Sequence, residues 1–467
     1  MKRKISLYIL LSIIVIASLI YSVNVIIWNI TLNDLKREGI PTTPQEYVDK
    51  YYKPVPEKDN AAPNIIDAKM SYVEAKNLKH IVYGGYLPVP LLDQNINSLL
   101  IPPANKHLNN NKQIFEIISK IKNKKYARFH YKWMDYDIDI KHPSYFFRSI
   151  QRLLSLKLIV NLHDKKFSES PKLLKEMNHT ALLAQQSPDQ VGQLISYACN
   201  VMFIKSLQNV ICKQQLSKQD LLFFKNALHE REKKLKDNYQ KFWYLNIIYN
   251  INLAKHIEKQ IIPDSPAYLF GFKIIFYLSG LNNGHIKMID FNKEMSKIPL
   301  ENYNQNISKI DSLCAKAKQV MCLDLISVAD ADIYLKATRT LAINRCAETA
   351  CAIMLYQQKY KKLPTKLKAL VPEFIETVTI DPFDGKELGY YRGKFKVDYS
   401  IPQLPENKLP DYNEEIHCKT ETIEKQGFYV FSRDIDGKDD IKRHIAVGLR
   451  KRPEQYFAVT IPTKNFK

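Results

Sequence analysis

The chain has 467 residues, 45% of them hydrophobic, with only 13 Gly and a formal net charge of +21. That length and apolar content suit two or three domains with cores of their own and exclude a wholly disordered chain, while the scarcity of Gly argues against a large propeller or a Gly-rich nucleotide-binding enzyme. The positive charge is mostly Lys scattered along helical stretches, such as Lys233, Lys234, Lys236 and Lys241, with no compact Arg cluster. It reads as a solvated surface, and no nucleic-acid motif accompanies it.

Residues 5–30 read ISLYILLSIIVIASLIYSVNVIIWNI and carry no charge. As a helix they extend about 39 Å, enough to cross roughly 30 Å of hydrocarbon with some tilt. Lys2, Arg3 and Lys4 precede the run and Trp28 stands at its far end. The positive-inside rule then keeps residues 1–4 in the cytoplasm and exports the bulk of the chain to the periplasm or the cell exterior. The apolar run is longer than a signal-peptide core, and Ala17-Ser18-Leu19 falls in its middle. An uncleaved transmembrane anchor in the cytoplasmic membrane is therefore expected, with the lipid bilayer as its partner.

Residues 31–110 are a Pro-rich, irregular connecting region, with short helices expected at 43–51 and 60–77. Tyr51, Tyr52, Ile65, Ile66, Tyr83 and Tyr86 need burial against the neighbouring domain. Residues 111–329 read as α-helical. Phe146, Ile150, Leu153, Leu154, Leu158 and Val160 recur at helical spacing, as do Leu173, Leu174, Met177, Ala181 and Ala184. Ser168 is the expected N-cap of the second of these helices. Ser187-Pro188-Asp189 separates it from the next, and Ser217 with Asp220 marks a further start. Hairpins at 145–186 and 189–235 predict a TPR-like array, an architecture that usually binds partners. Tyr239, Phe242, Trp243, Tyr244 and Tyr249 read as core aromatics. Residues 266–281, PAYLFGFKIIFYLSGL, are apolar but short for a span and carry Lys273 at their centre, so a buried or interfacial helix is expected there.

The pattern changes near Asp330. A helix over 330–360 leads through Leu363-Pro364-Thr365 into a turn of helix at Lys366–Leu370, then Val371–Ile375 and a tight turn, Asp381-Pro382-Phe383-Asp384-Gly385-Lys386. Strands are expected at 388–392, 394–399, 427–432 and 455–461. The fold class is thus mainly α with a C-terminal α+β module: a transmembrane helix, a helical-hairpin array, then one long helix packed on a small antiparallel sheet over 330–467.

Asp434, Asp436, Asp439 and Asp440 lie within seven residues around Gly437. Alternating carboxylates about a Gly turn can supply several of the oxygens that calcium needs, so these four are the candidate metal ligands. The loop lacks the bidentate Glu of an EF-hand, and a solvated hairpin turn is the competing reading. The seven cysteines, Cys199, Cys212, Cys314, Cys322, Cys346, Cys351 and Cys418, include no C-x-x-C pair and give no support for zinc. No H-E-x-x-H, G-x-S-x-G, S-x-x-K, P-loop or G-x-G-x-x-G motif occurs, and His130, His142, His163 and His179 have no recognisable catalytic spacing.

The segment YQQKYKKLPTKLKALVPEFIETVTIDPFDGKELGYYRGKFKVDYS, together with the later FYVFSRDIDGKDD, resembles the globular end of type II secretion major pseudopilins over roughly residues 335–462, with an insertion at 401–426. The resemblance implies a long helix against a three-stranded sheet, and calcium in the acidic loop. The whole chain is also similar to a bacterial family of single-pass membrane proteins with a G.P.T..E......Y....NAAP segment, here Gly39, Pro41, Thr42, Glu46, Tyr51 and Asn60-Ala61-Ala62-Pro63. Unlike a pseudopilin, this chain places about 300 residues between its apolar segment and the module, and its first Gly, Gly39, is too late for a prepilin-peptidase site. The expected function is a membrane-anchored envelope scaffold or binding protein whose partner is a protein or an anionic envelope polymer. The alternatives are a pseudopilin-type secretion component and an envelope enzyme with a site between the helical and α+β parts.

Overall fold

The structure is a computed structural model that describes residues 2–74, 98–131, 142–213, 216–261, 281–318, 324–402, 418–433, 444–447 and 456–461. Among these are twelve α-helices and one small sheet. The first helix, α1 (Lys2–Arg37), runs past the apolar segment by a full turn and more. The connecting region is more ordered than its prolines suggest and holds α2 (Pro44–Tyr51), α3 (Ala62–Met70) and α4 (Ile101–Asn110). Each of these three helices has a proline in its first turn, where a missing N–H costs nothing. In α2, Thr43 caps the Glu46 N–H while the Glu46 carboxylate accepts from the Thr42 N–H at 2.7 Å.

The helical middle comprises α5 (Lys112–Ile121), α6 (Phe147–His163), α7 (Ser170–Ala184), α8 (Gln190–Cys212), α9 (Lys218–Ile261), α10 (Leu281–Lys297) and α11 (Tyr303–Lys318). Two boundaries differ from those expected of the sequence. Ser168 is not a cap: Phe167–Glu169 forms a 3-10 turn, and α7 begins at Ser170 with Pro171 fixing its first turn. Nor does the second hairpin close at 235, because α9 continues for 44 residues without a breaker. Its start is as expected: the Ser217 hydroxyl accepts from the Asp220 N–H at 3.1 Å. Asp189 caps α8 through the Gly192 N–H at 2.8 Å, and a Cβ at Gly192 would meet Ser187 Cβ at 2.4 Å, so only Gly lets the chain reverse there.

The long helix of the C-terminal part is α12 (Asp324–Tyr360). It packs along α9 and α8 on one side and against β2 (Cys418–Phe431) and β4 (Tyr456–Thr460) on another. The stretches 388–392 and 394–399 form one strand, β1 (Gly389–Pro402), antiparallel to β2 throughout. The sheet is not wholly antiparallel, since β3 (His444–Val447) pairs parallel with β1, giving the order β3-β1-β2-β4. β2 starts well inside the stretch read as an insertion. Residues 419–424 extend it as a ribbon paired with β1; Lys419, Glu421, Thr422 and Glu424 are exposed and polar, and Ile423 by itself makes no apolar alternation to read. At Gly427 the ribbon meets β4, where a Cβ would fall 1.9 Å from the Val459 carbonyl oxygen.

One core joins the parts. Leu207 and Val210 of α8, Cys346 and Ala350 of α12, and Phe428, Phe457 and Val459 of the sheet belong to a single buried cluster that reaches back to Ala61. A second gathers Trp243, Tyr334 and Phe383, and a third packs Leu35, Trp28 and Leu32 of α1 on Ile247 and Ile251 of α9 and Ile289 of α10. By the described side chains no helix is long and apolar enough to cross a membrane; those at 2–7, 9, 10, 13, 14 and 17 of α1 lie outside the description.

Candidate functional site

The feature with the chemistry of a binding site is a cleft of about 520 Å³ that sequence spacing does not reveal. One wall comes from α2 and its C-cap, through Tyr47, Tyr51 and Tyr52, together with Lys125, Tyr126 and Arg128. The other comes from the end of α7, the α7–α8 turn and the middle of α9, including His179, Gln186, Gln193, Lys234, Asn238 and Lys241.

Local bonding holds the walls together. Gln186 accepts from the Ala127 N–H and from Arg128 Nη1 (3.2 Å), and donates to the Lys125 carbonyl at 2.9 Å. Asn238 donates to the Gln185 carbonyl at 2.7 Å. Arg128 lies over the Tyr52 ring at 4.5 Å and near the Tyr126 ring at 5.5 Å, and its Nε is buried without an acceptor. Tyr51 stacks on Tyr244 at 5.8 Å.

The electrostatics are one-sided. Lys125, Arg128, Lys234 and Lys241 line the cleft against a single carboxylate, Asp237, which stands 3.9 Å from Lys241 and is 74% exposed. Among the described residues Lys125, Arg128 and Lys234 have no ion-pair partner. Burial and the Lys234 charge push the His179 imidazole below its ordinary pKa, and its Nε2 lies 2.9 Å from the Ile121 carbonyl. A neutral imidazole beside uncompensated cations leaves the cleft positive at neutral pH. Lys234 and Lys241, expected on the solvated surface, are thus part of a built concavity, and Lys236 is engaged elsewhere.

That engagement is an ion network between α9, α12 and the loop before α11. Arg345 donates from Nη2 and Nε to both Glu232 oxygens at 2.7 and 3.1 Å, from Nη1 to the Ile380 carbonyl at 2.8 Å, and reaches Glu301 at 3.3 Å. Lys236 joins Glu232 at 2.8 Å and also bonds Glu301. Burial raises the Glu232 carboxyl, but Arg345 and Lys236 outweigh it and hold its pKa below the ordinary value. Farther along α12, burial pushes Glu348 up against the pull of His229, 3.4 Å away. The network lies between the helical and α+β parts, the place where an enzyme site would sit. Saturated bidentate pairing makes it a clamp between helices.

Deeper still, Arg231 is 2% exposed and donates to Asn200 Oδ1 (2.8 Å) and to the Asn178 carbonyl and amide oxygens, with its guanidinium 4.9 Å from the Phe203 ring. Burial lowers its pKa to about 9, still above neutrality. Asn200 passes the chain of bonds to Asn344 of α12 at 3.1 Å.

The four carboxylates of the candidate calcium loop, Asp434, Asp436, Asp439 and Asp440, lie outside the described residues, as does most of 266–281. Among the described residues no group of three or more His, Cys, Asp or Glu is placed to hold a metal. The strand end that leads into the loop is anchored by Asp381, which is fully buried and accepts from Ser432 Oγ, the Arg433 N–H (both 2.7 Å) and the Phe383 N–H (3.0 Å). Both Asp381 oxygens are therefore taken by protein donors. Of the histidines, His142 stacks on Tyr131 at 4.3 Å and bonds Ser144, a packing role. Cys199, Cys212, Cys346 and Cys351 are buried, and the Cys212 Sγ lies 3.7 Å from the Ala458 carbonyl oxygen.

No family model, curated protein or solved structure matches the chain.

Proposed function

We propose that the chain is a membrane-anchored binding protein of the cell envelope, held by α1 with its N-terminus inside, presenting the helical body and its cationic cleft on the outer side of the cytoplasmic membrane. The observation that carries the reading is the outer face of α1. Among the described side chains, ten large apolar ones from Tyr8 to Ile30 are exposed, Leu19 by 61% and Ile26 by 57%. Tyr8 to Ile30 is about 33 Å of helix, close to the roughly 30 Å hydrocarbon thickness of a bilayer. An apolar patch of that extent is rare on a protein whose surroundings are water alone. The uncharged sequence 5–30 and the Lys2-Arg3-Lys4 cluster ahead of it supply orientation. Non-catalytic binding is favoured because, among the described residues, the Arg345 network is internally paired, whereas Lys125, Arg128 and Lys234 of the cleft have no ion-pair partner.

The test is alkaline carbonate extraction of membranes, together with protease protection in spheroplasts. The full chain is expected to remain in the pellet and to be digested from outside, leaving a short protected N-terminal fragment. Release into the supernatant at high pH would remove the anchor from the reading.

A secretion-apparatus role is the second reading, favoured by the packing of α12 on β2 and β4 together with the pseudopilin-like sequence of 335–462. It predicts co-purification with a secretion assembly.

A further inference from the structure

The cleft lies beside the end of α1. Tyr244 packs with Trp28 and Leu32 of α1 in one cluster, and with Tyr51 and Tyr47 of the cleft wall in the next. Lys241 is six residues before Ile247, the α9 residue packed in the α1 cluster, which is about 9 Å of helix rise. With α1 in the bilayer, the cleft mouth therefore stands close to the membrane surface.

We propose that this cleft binds a phosphate-bearing, hydroxyl-rich headgroup presented at the membrane surface. Three lysines and one guanidinium, Lys125, Lys234, Lys241 and Arg128, come from two separate stretches of chain that line the same cleft. Several cations lining one cleft suit a tetrahedral phosphate, whose non-bridging oxygens point apart and accept from more than one donor. The rest of the lining is amide and phenol: Gln186, Gln193 and Asn238 with Tyr47, Tyr51 and Tyr126. Gln186 is engaged with Lys125, Ala127 and Arg128, and Asn238 gives an N–H to the Gln185 carbonyl, but the Gln193 Oε1 is buried without a partner and can accept from a polyol hydroxyl, while ring faces cover the C–H edges. The cleft's volume, about 520 Å³, holds a headgroup of one or two rings.

The inference rests on the anchor reading only for the source of the ligand. The chemistry stands on the cleft alone, so the two can fail separately. The experiment is calorimetric titration of the full chain in uncharged detergent with four probes: dihexanoyl phosphatidylglycerol, dihexanoyl phosphatidylserine, glucose 1-phosphate and inorganic phosphate. Saturable one-to-one binding of the phosphatidylglycerol is expected, at least about tenfold tighter than phosphatidylserine or phosphate. The Lys234→Gln/Lys241→Gln pair, at one exposed and one half-buried position of α9, is expected to weaken it about tenfold or more. A Lys366→Gln/Lys368→Gln control far along the chain leaves it unchanged.

Binding of glucose 1-phosphate alone, lost in the cleft variant, would support the phosphate-and-polyol chemistry and overturn the membrane source. Equal binding of all four probes, or equal binding by the cleft variant, would reduce the cleft to diffuse surface charge and overturn the proposal. Carbonate release of a chain that still binds would overturn the anchor and leave the cleft standing.

Discussion

α1 and α12 are nearly the same length, 36 and 37 residues, yet they meet opposite surroundings. From Ile333 to Leu355 no residue of α12 is exposed, because α8, α9, α11 and the sheet enclose it. Along α1, ten large apolar side chains face outward. The difference is written in residue size. α12 carries Ala337, Ala342, Cys346, Ala347, Ala350, Cys351 and Ala352, all at 0% exposure, so neighbouring elements can approach on every side. It also carries Asn344 and Arg345, whose polar groups need partners inside the protein. α1 is rich in Ile, Leu and Val, and among its described side chains the first buried polar group is Asn24, near its junction with the body.

Removing a partner-dependent group from α12 gives the largest expected effect. Arg345→Ala strips Glu232 Oε2 and the Ile380 carbonyl of their donor and leaves Glu232 Oε1 to Lys236, at a site where the Arg side chain is 11% exposed. A loss of about 3–5 kcal/mol is expected, read from urea unfolding of the full chain in detergent. A loss below about 1 kcal/mol would place the network in the class of exposed surface pairs.

The corresponding insult to α1 is a charge in the middle of its outward face. Leu19→Lys is expected to leave the unfolding midpoint of the body unchanged but to oppose membrane insertion by about 2.5–3.5 kcal/mol. The measurement is the inserted fraction in a translocation assay. Insertion as efficient as wild type would make α1 a helix that docks on protein instead.

Packing supplies the next test. Ala350→Leu adds three carbons at a position of 0% exposure and is expected to cost about 1–3 kcal/mol, whereas Leu19→Ala in α1 leaves thermal unfolding of the body where it was. Equal sensitivity of the two helices would erase the distinction drawn between them.

The smallest effect concerns Glu348. Its raised pKa means that the folded protein holds the proton more tightly than the unfolded chain, so ionisation at neutral pH costs stability. Glu348→Gln should raise the urea midpoint at pH 7.5. The gain should shrink as pH falls toward the ordinary carboxyl range, where both states of the wild type are protonated. A gain that grew toward acid would mean that His229 holds the carboxylate ionised.

Local signals read well from the sequence because their physics is local. Thr43, Asp189 and Ser217 each cap the helix they precede, as side-chain oxygens within three residues of an orphan N–H do. The turn at Asp381–Lys386 closes as its Pro and Gly require, with the Asp381 N–H on the Lys386 carbonyl at 2.7 Å. The burial of Tyr239, Phe242 and Trp243 comes from size and spacing. The length of α9 and the ribbon half of β2 were not legible, since neither is marked by an apolar period.

The cleft was illegible for a different reason. Its lining comes from residues 47–52, 125–128, 179–193 and 234–241, and no spacing rule links Tyr51 to Lys241. What the amino-acid sequence determined by itself was the helical character of the middle and of 330–360, the helix starts at Asp189 and Ser217, the uncharged apolar run at 5–30 and the mainly helical class with a C-terminal sheet. The tertiary structure alone decided which lysines are solvated and which converge, that Arg231 lies in the core, and that the sheet shares its core with the helical middle. Caps and periodicity act over one or two turns of chain, whereas convergence of charge depends on how distant helices cross, and that is fixed only when their buried faces meet.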